Sequence, residues 1–184
     1  AAVTGHSVGE VAAAWACGAL LLADAVKVIY HRSRYQARTA GQGGMTAVAL
    51  GPDDAAALLA DQQERDIHIA AVNSARGVTL SGPTDRLSSL EQVLASRNTP
   101  TQQVTRTYAF HSPAMDDIQA DLIAELADIQ PRAAEVPFIA AVTGEALAGP
   151  GIDGTYWWRN IRDPVQIRRA IQTRIASGDN VFLE

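Results

Sequence analysis

Gly5-His-Ser-Val-Gly9, near the start of the 184-residue chain, sets a serine between two glycines in the pattern G-x-S-x-G. That spacing marks the nucleophile elbow, a tight strand-to-helix turn that presents a serine hydroxyl to a carbonyl substrate. Glycines on both sides let the backbone turn without a Cβ clash. The helix that follows aims its free N–H groups at the reacting centre, and the Val8 N–H is the natural donor to an oxyanion. One well-placed donor of this kind is worth about 2.7–4 kcal/mol at the transition state. The chemistry is nucleophilic attack through a covalent acyl-serine. A glycine-serine-glycine turn can also be purely structural, and the pentapeptide alone leaves both readings open.

A serine nucleophile needs a base. His6 adjoins Ser7 and points away along the turn, His31 lies on a helix beside charged neighbours, and His68 sits in a strand of the middle segment. His111 follows a strand and precedes Ser112-Pro113 in a loop, the kind of position where catalytic groups are held, and it is the favoured base. Arg32, beside Arg34 and Arg38, reads by itself as a surface helix residue. Asn160 reads as a helix cap, and Asn73, at a strand end, as a structural residue, with a place facing the cleft as its alternative. Glu10 suits the positive end of its helix, or orients groups at the elbow. No acidic third member of a triad stands out, which counts against an ordinary hydrolase.

These residues need elements to position them. Ala1 to Thr4 read as the end of a buried strand, Glu10 to Ala19 as a helix ending at Gly18, and Asp24 as the N-cap of a second helix broken by Gly41-Gln-Gly-Gly44. The pattern then changes: strand from Met45 to Leu50, helix from Asp53 to Gln63, strands from Ile67 to Val72 and Gly77 to Ser81, helix from Pro83 to Ser96, strand from Thr101 to Tyr108. Strand, helix, strand, strand, helix, strand is the order of a ferredoxin-like unit. A helix from Met115 to Ile129 follows, with Ile118, Leu122, Leu126 and Ile129 on one face. Phe138 to Val142 is a strand and Gly144 to Gly154 a loop. Helices from Tyr156 to Ile161 and Val165 to Ile175 are separated by Pro164, and Asn180 to Glu184 begins a last strand. The fold class is α/β: an α/β-hydrolase-like larger subdomain, 1–43 and 109–184, carries an inserted ferredoxin-like small subdomain, 44–108. Both ends of the larger unit read as cut from something longer.

Hydrophobic residues at 47% and charged residues at 19% are ordinary for a globular chain. A net charge of −5 with no basic stripe argues against nucleic acid. No apolar run is long enough to span a bilayer. The single Cys17 has no partner for an internal disulfide, which fits a reducing cytoplasm. No metal-ligating cluster is read from the sequence.

Taken together, the motifs resemble a known family. Gly5-His-Ser-Val-Gly-Glu10 is similar to the G-H-S-x-G-E signature of the malonyl and acyl transferases of fatty-acid and polyketide synthases. Arg32 matches the family's substrate-carboxylate arginine, Gly43-Gly-Met45 the start of its small subdomain, and Tyr108-Ala-Phe-His111 its specificity motif with the catalytic histidine. Tyr156-Trp-Trp-Arg-Asn160 with Pro164-Val165 resembles the Y-W-x-x-N and P-V segment of polyketide synthases, so the chain is identified as a member of the acyltransferase domains of modular or iterative polyketide synthases. The resemblance implies ping-pong transfer by Ser7 and His111 with no bound cofactor. The donor is an acyl-CoA and the acceptor the phosphopantetheine thiol of an acyl carrier protein, beside a neighbouring ketosynthase domain, in pathways such as antibiotic biosynthesis. It also implies that Arg32 binds a malonyl carboxylate through two charge-assisted hydrogen bonds. The histidine is oriented by a backbone carbonyl, at the position matching Asn160. A further oxyanion donor, a glutamine, belongs to a motif upstream of Ala1.

In that family H-A-F-H accompanies malonyl and Y-A-S-H methylmalonyl selection, and Tyr108-Ala-Phe-His111 mixes the two. Phe110 beside the substrate α-carbon leaves little room for a methyl branch, and Val8 also leans to malonyl, whereas Tyr108 leans to methylmalonyl. Malonyl-CoA is the expected substrate and methylmalonyl-CoA the alternative. Rival readings are a stand-alone malonyl transferase of fatty-acid synthesis, a serine esterase, and an inactive docking or scaffold domain.

Overall fold

The computed structural model describes residues 1–183. Val3 forms a parallel bridge with Phe138, its N–H reaching Pro137 O at 2.9 Å and its carbonyl accepting from Ile139 N at 2.9 Å. After the elbow come α1 (Gly9–Ala16) and α2 (Leu22–Gln36). The second helix begins after Leu21 rather than at Asp24, which lies within its first turn.

The middle of the chain runs β1 (Gly44–Val48), α3 (Pro52–Asp61), β2 (His68–Ser74), β3 (Gly77–Gly82), α4 (Thr84–Ser96) and β4 (Thr101–Thr105). The strands form one antiparallel sheet in the order β2-β3-β1-β4. Leu87, Leu90 and Leu94 recur at helical spacing on α4 and are buried with Val48, Leu58, Val78 and Leu80 in a core of their own. Each such side chain contributes about 1.5–3 kcal/mol by leaving water.

The remaining elements are α5 (Gln119–Glu125), β5 (Phe138–Ala140), β6 (Glu145–Leu147), α6 (Gly154–Arg162) and α7 (Ile167–Ala176). The helix expected over Met115–Ile129 divides into a 3-10 turn, Pro113–Ile118, and α5, which ends at Glu125; its four apolar residues are nevertheless all buried. Pro113 opens that 3-10 turn, with Ser112 Oγ accepting from Ala114 N at 3.3 Å. The loop expected at 144–154 contains β6, which pairs antiparallel with β5. Residues 180–183 carry no strand, and Glu184 lies outside the described residues. A second core gathers Val11, Ala14 and Val28 with Leu122, Phe138 and Trp157.

The segment after α6 joins the two parts. Val165 bridges Ala71 in parallel, Val165 N reaching Ala70 O at 2.9 Å and Val72 N reaching Val165 O at 2.8 Å, while Gln166 N reaches Ala141 O at 2.6 Å. No helix among the described residues is long and apolar enough to cross a membrane. The whole is a mixed α/β fold.

Candidate active site

Ser7 has φ 52° and His111 φ 58°, two of the four non-glycine residues with positive φ among the described residues. Such backbone is costly for a side-chain-bearing residue and persists only where the surroundings hold it. At Ser7 the hold is the elbow: Gly9 N bonds to His6 O at 3.0 Å and Glu10 N to Ser7 O at 3.0 Å. A Cβ on Gly5 would run into the backbone of Gly9 and Glu10, so only glycine fits there. Gly9 is different: a Cβ there meets open space, so the expected need for glycine holds on one side of the serine only.

His111 is clamped to the end of α6. Its backbone N–H donates to Ile161 O at 3.1 Å, a last-turn carbonyl without a partner inside the helix. Its Nδ1 lies 2.9 Å from Asp163 O, and its Nε2 lies 2.9 Å from Ser7 Oγ. A carbonyl only accepts, so Nδ1 carries the proton and Nε2 is free to take one from Ser7. Burial, reinforced by the Arg32 charge, lowers the His111 pKa to about 4, keeping the ring neutral. The orienting carbonyl is therefore Asp163's, and the expectation for Asn160 is corrected. The signal was present in Pro164, because a residue before proline is pushed to extended backbone. Asp163 is extended, at φ −79° and ψ 155°, which turns its carbonyl off the helix axis.

Asn160 takes another place: its Oδ1 accepts from Arg32 Nη1, and its Nδ2 donates to Glu10 Oε2 and, at 3.3 Å, to Ser7 O. Arg32 is not a surface residue, being only 4% exposed. Its Nη2 donates to Ser7 Oγ at 2.8 Å and its Nε to Gln36 Oε1 at 3.2 Å, one helical turn on. Burial lowers its pKa to about 10, opposed by the Glu10 charge, so it stays a cation at neutral pH. The Val8 N–H has no acceptor among the described residues, while the Val8 side chain is half exposed. Tyr108 and Phe110 stack face to face, centroids 4.9 Å apart and planes at 9°.

Sequence reasoning passed over three contributions. Tyr156 OH donates to both Glu10 oxygens at 2.9 Å, Gln36 holds Arg32, and His6 Nε2 lies 3.0 Å from Asn73 Oδ1, tying the elbow to β2. Only Gln36 was signalled locally, by its i,i+4 spacing from Arg32. His31 sits against Tyr30 and Tyr35 rather than in solvent.

A neutral histidine on a strained serine, with a free backbone N–H beside it and a buried cation touching the hydroxyl, defines a serine-dependent acyl-transferring enzyme. The acyl transferase domain family model matches residues 1–184. The spectinabilin polyketide synthase system protein NorA' of Streptomyces orinoci is 40% identical over 187 residues, covering 100% of this chain and 5% of that protein. The erythronolide synthase EryA2 of Saccharopolyspora erythraea is 38% identical over 184 residues, again covering 100% of this chain and 5% of the relative. The crystal structure of the acyltransferase domain from module 8 of the salinomycin polyketide synthase superposes with a TM-score of 0.92 at 37% identity, covering 96% of this chain and 42% of that one. The chain thus spans a small fraction of its relatives and under half of that solved chain. It belongs to the acyl transferase domain family, and it is an acyltransferase whose relatives are polyketide synthases.

Proposed function

We propose that this acyltransferase loads a malonyl group from coenzyme A onto Ser7 and passes it to the phosphopantetheine thiol of an acyl carrier protein, beside a ketosynthase in a cytoplasmic polyketide synthase. The observation that carries this reading is Arg32 Nη2 at 2.8 Å from Ser7 Oγ. Of the five guanidinium N–H donors, the bonds to Gln36, Asn160 and Ser7 engage three, leaving one on each terminal nitrogen for a carboxylate. An esterase has no use for such a cation. The division into 1–43 with 109–184 and 44–108 belongs to the same proposal, supported by the two separate cores.

Ser7 Oγ attacks the thioester carbonyl as His111 Nε2 takes its proton, and the oxyanion forms at the Val8 N–H. Collapse breaks the C–S bond, and His111 gives the proton to the departing coenzyme A thiolate. The carrier thiol then loses its proton to His111 and attacks the acyl-serine ester, and Ser7 leaves with that proton. The Tyr108–Phe110 stack forms the selectivity element, with Phe110 crowding an α-methyl group. One methylene is worth about 1–3 kcal/mol, which sets the size of the preference.

The test offers the protein, in its native polypeptide, an equimolar mixture of malonyl-, methylmalonyl- and acetyl-CoA, with intact-mass detection and a Ser7→Ala control. The expected product is a malonyl adduct lost in Ser7→Ala, with Phe110→Ser admitting methylmalonyl. A methylmalonyl adduct on the unaltered protein makes Tyr108 the governing residue. No adduct from folded protein leaves the scaffold reading.

A further inference from the structure

Glu10 is fully buried, carries a titratable group, and has no step in the transfer chemistry. Three donors converge on its carboxylate: Ala141 N at 2.5 Å, Tyr156 OH at 2.9 Å, and Asn160 Nδ2. Burial pushes its carboxyl up to about 7, and the three donors, with the Arg32 charge, pull the other way by favouring the ionised, acceptor-only form. Arg32 has the complementary problem. It is a buried cation, and among the described residues no carboxylate forms a salt bridge with it.

Asn160 connects the two. Its amide accepts from Arg32 on one side and donates to Glu10 on the other, so carboxylate, amide and guanidinium form one continuous chain ending at Ser7 Oγ. The chain fixes which way the Asn160 amide faces, since Glu10 can only accept and Arg32 can only donate. It also keeps the negative charge one amide away from Arg32. A carboxylate bonded directly to the guanidinium would occupy the donors that a substrate carboxylate needs. A single buried charge left without its partner is costly, which is why the two occur together.

We infer that Glu10 is a positioning residue for recognition of the substrate carboxylate: through Asn160 it orients Arg32 and balances its charge while leaving its outward donors free, with Tyr156 holding Glu10 in turn. This inference rests on the malonyl reading above.

The test measures steady-state coenzyme A release from malonyl-CoA and from acetyl-CoA by the unaltered protein, Glu10→Gln, Tyr156→Phe, Arg32→Ala and the Glu10→Gln/Arg32→Ala double variant. Glu10→Gln is expected to raise KM for malonyl-CoA about tenfold with kcat within about twofold, and to leave acetyl-CoA turnover unchanged. Tyr156→Phe, which removes one donor and keeps the ring, moves in the same direction by a smaller factor and serves if Glu10→Gln fails to fold. The double variant is expected to be no worse than Arg32→Ala alone. Equal losses with both thioesters, or losses that multiply in the double variant, overturn the inference and leave Glu10 a structural residue. Malonyl loading that is absent from the unaltered protein overturns the function proposed above, and this inference with it.

Discussion

In the proposed transfer His111 serves as base because an acceptor on one side of its ring, Asp163 O, and a donor on the other, the Ser7 hydroxyl, decide where its proton lies. Asp163 O takes the Nδ1 proton, leaving Nε2 for the Ser7 hydroxyl. Burial and the Arg32 cation both disfavour the imidazolium, so the pKa falls from the usual 6.5 to about 4. The neutral base is retained above about pH 4 and lost as pH falls through it. The acid limb of kcat/KM for acylation is therefore expected near pH 4 rather than 6.5, and a limb at 6.5 in the free enzyme would show that water reaches His111. At the same scale, Arg32 donates to the Ser7 oxygen proposed as the nucleophile. A hydroxyl can accept from Arg32 while donating to His111, so both contacts coexist in one geometry.

The elbow and the end of α6 are the elements that aim these groups. Gly5 meets backbone on the inside of the turn, and Gly9 meets nothing. Gly5→Ala is expected to abolish soluble, acylatable protein. Gly9→Ala, at the first position of α1, is expected to raise stability by about 0.4–1 kcal/mol, read as a higher denaturant midpoint. Equal effects of the two would show that the turn is not closed against Gly9 and Glu10. Pro164 performs the matching task for the histidine. By forcing Asp163 out of helical backbone it delivers the carbonyl to Nδ1, so Pro164→Ala is expected to lower kcat while thermal unfolding changes little. The sequence segment Tyr156-Trp-Trp-Arg-Asn160 buries every residue but Arg159, which fixes α6 as the platform on which that carbonyl and Asn160 are mounted.

At the scale of the whole molecule, a small buried cluster of Ala71, Ala141 and Val165 links β2 to the segments after β5 and α6. His6 and Asn73 add a polar tie between the elbow and β2. Between α1 and α2 a groove of about 800 Å³ is lined by Val8, Trp15, Leu22, Val26, Ile29 and Tyr30. Trp15, Leu22, Val26 and Tyr30 along it are each more than half exposed, a cluster of apolar side chains of the kind that marks an interaction surface. The 184-residue chain on its own is expected to bind the dye ANS while retaining a cooperative unfolding transition, and Trp15→Gln with Val26→Gln is expected to reduce the dye signal. Unchanged dye binding in that pair would place the exposed apolar surface elsewhere.

Ser7 was legible in the sequence because it sits in a short motif whose local geometry is fixed by its neighbours, and His111 because it follows a strand in a loop; Arg32 read by itself as a surface helix residue and was singled out only by the family resemblance. The order of strands and helices was legible because alternation and helical spacing are set within a few residues. Helix lengths were less so, since Pro113 and the packing of Ile118 and Leu122 turned one expected helix into a 3-10 turn and a shorter α5. What only the tertiary structure decided were the partners. Asp163 rather than Asn160 orients the histidine, Asn160 holds Arg32, and Tyr156 meets Glu10 across 146 positions of chain. A hydrogen bond between residues so far apart depends on how α1, α2 and α6 pack, and local residue pattern carries no record of that packing.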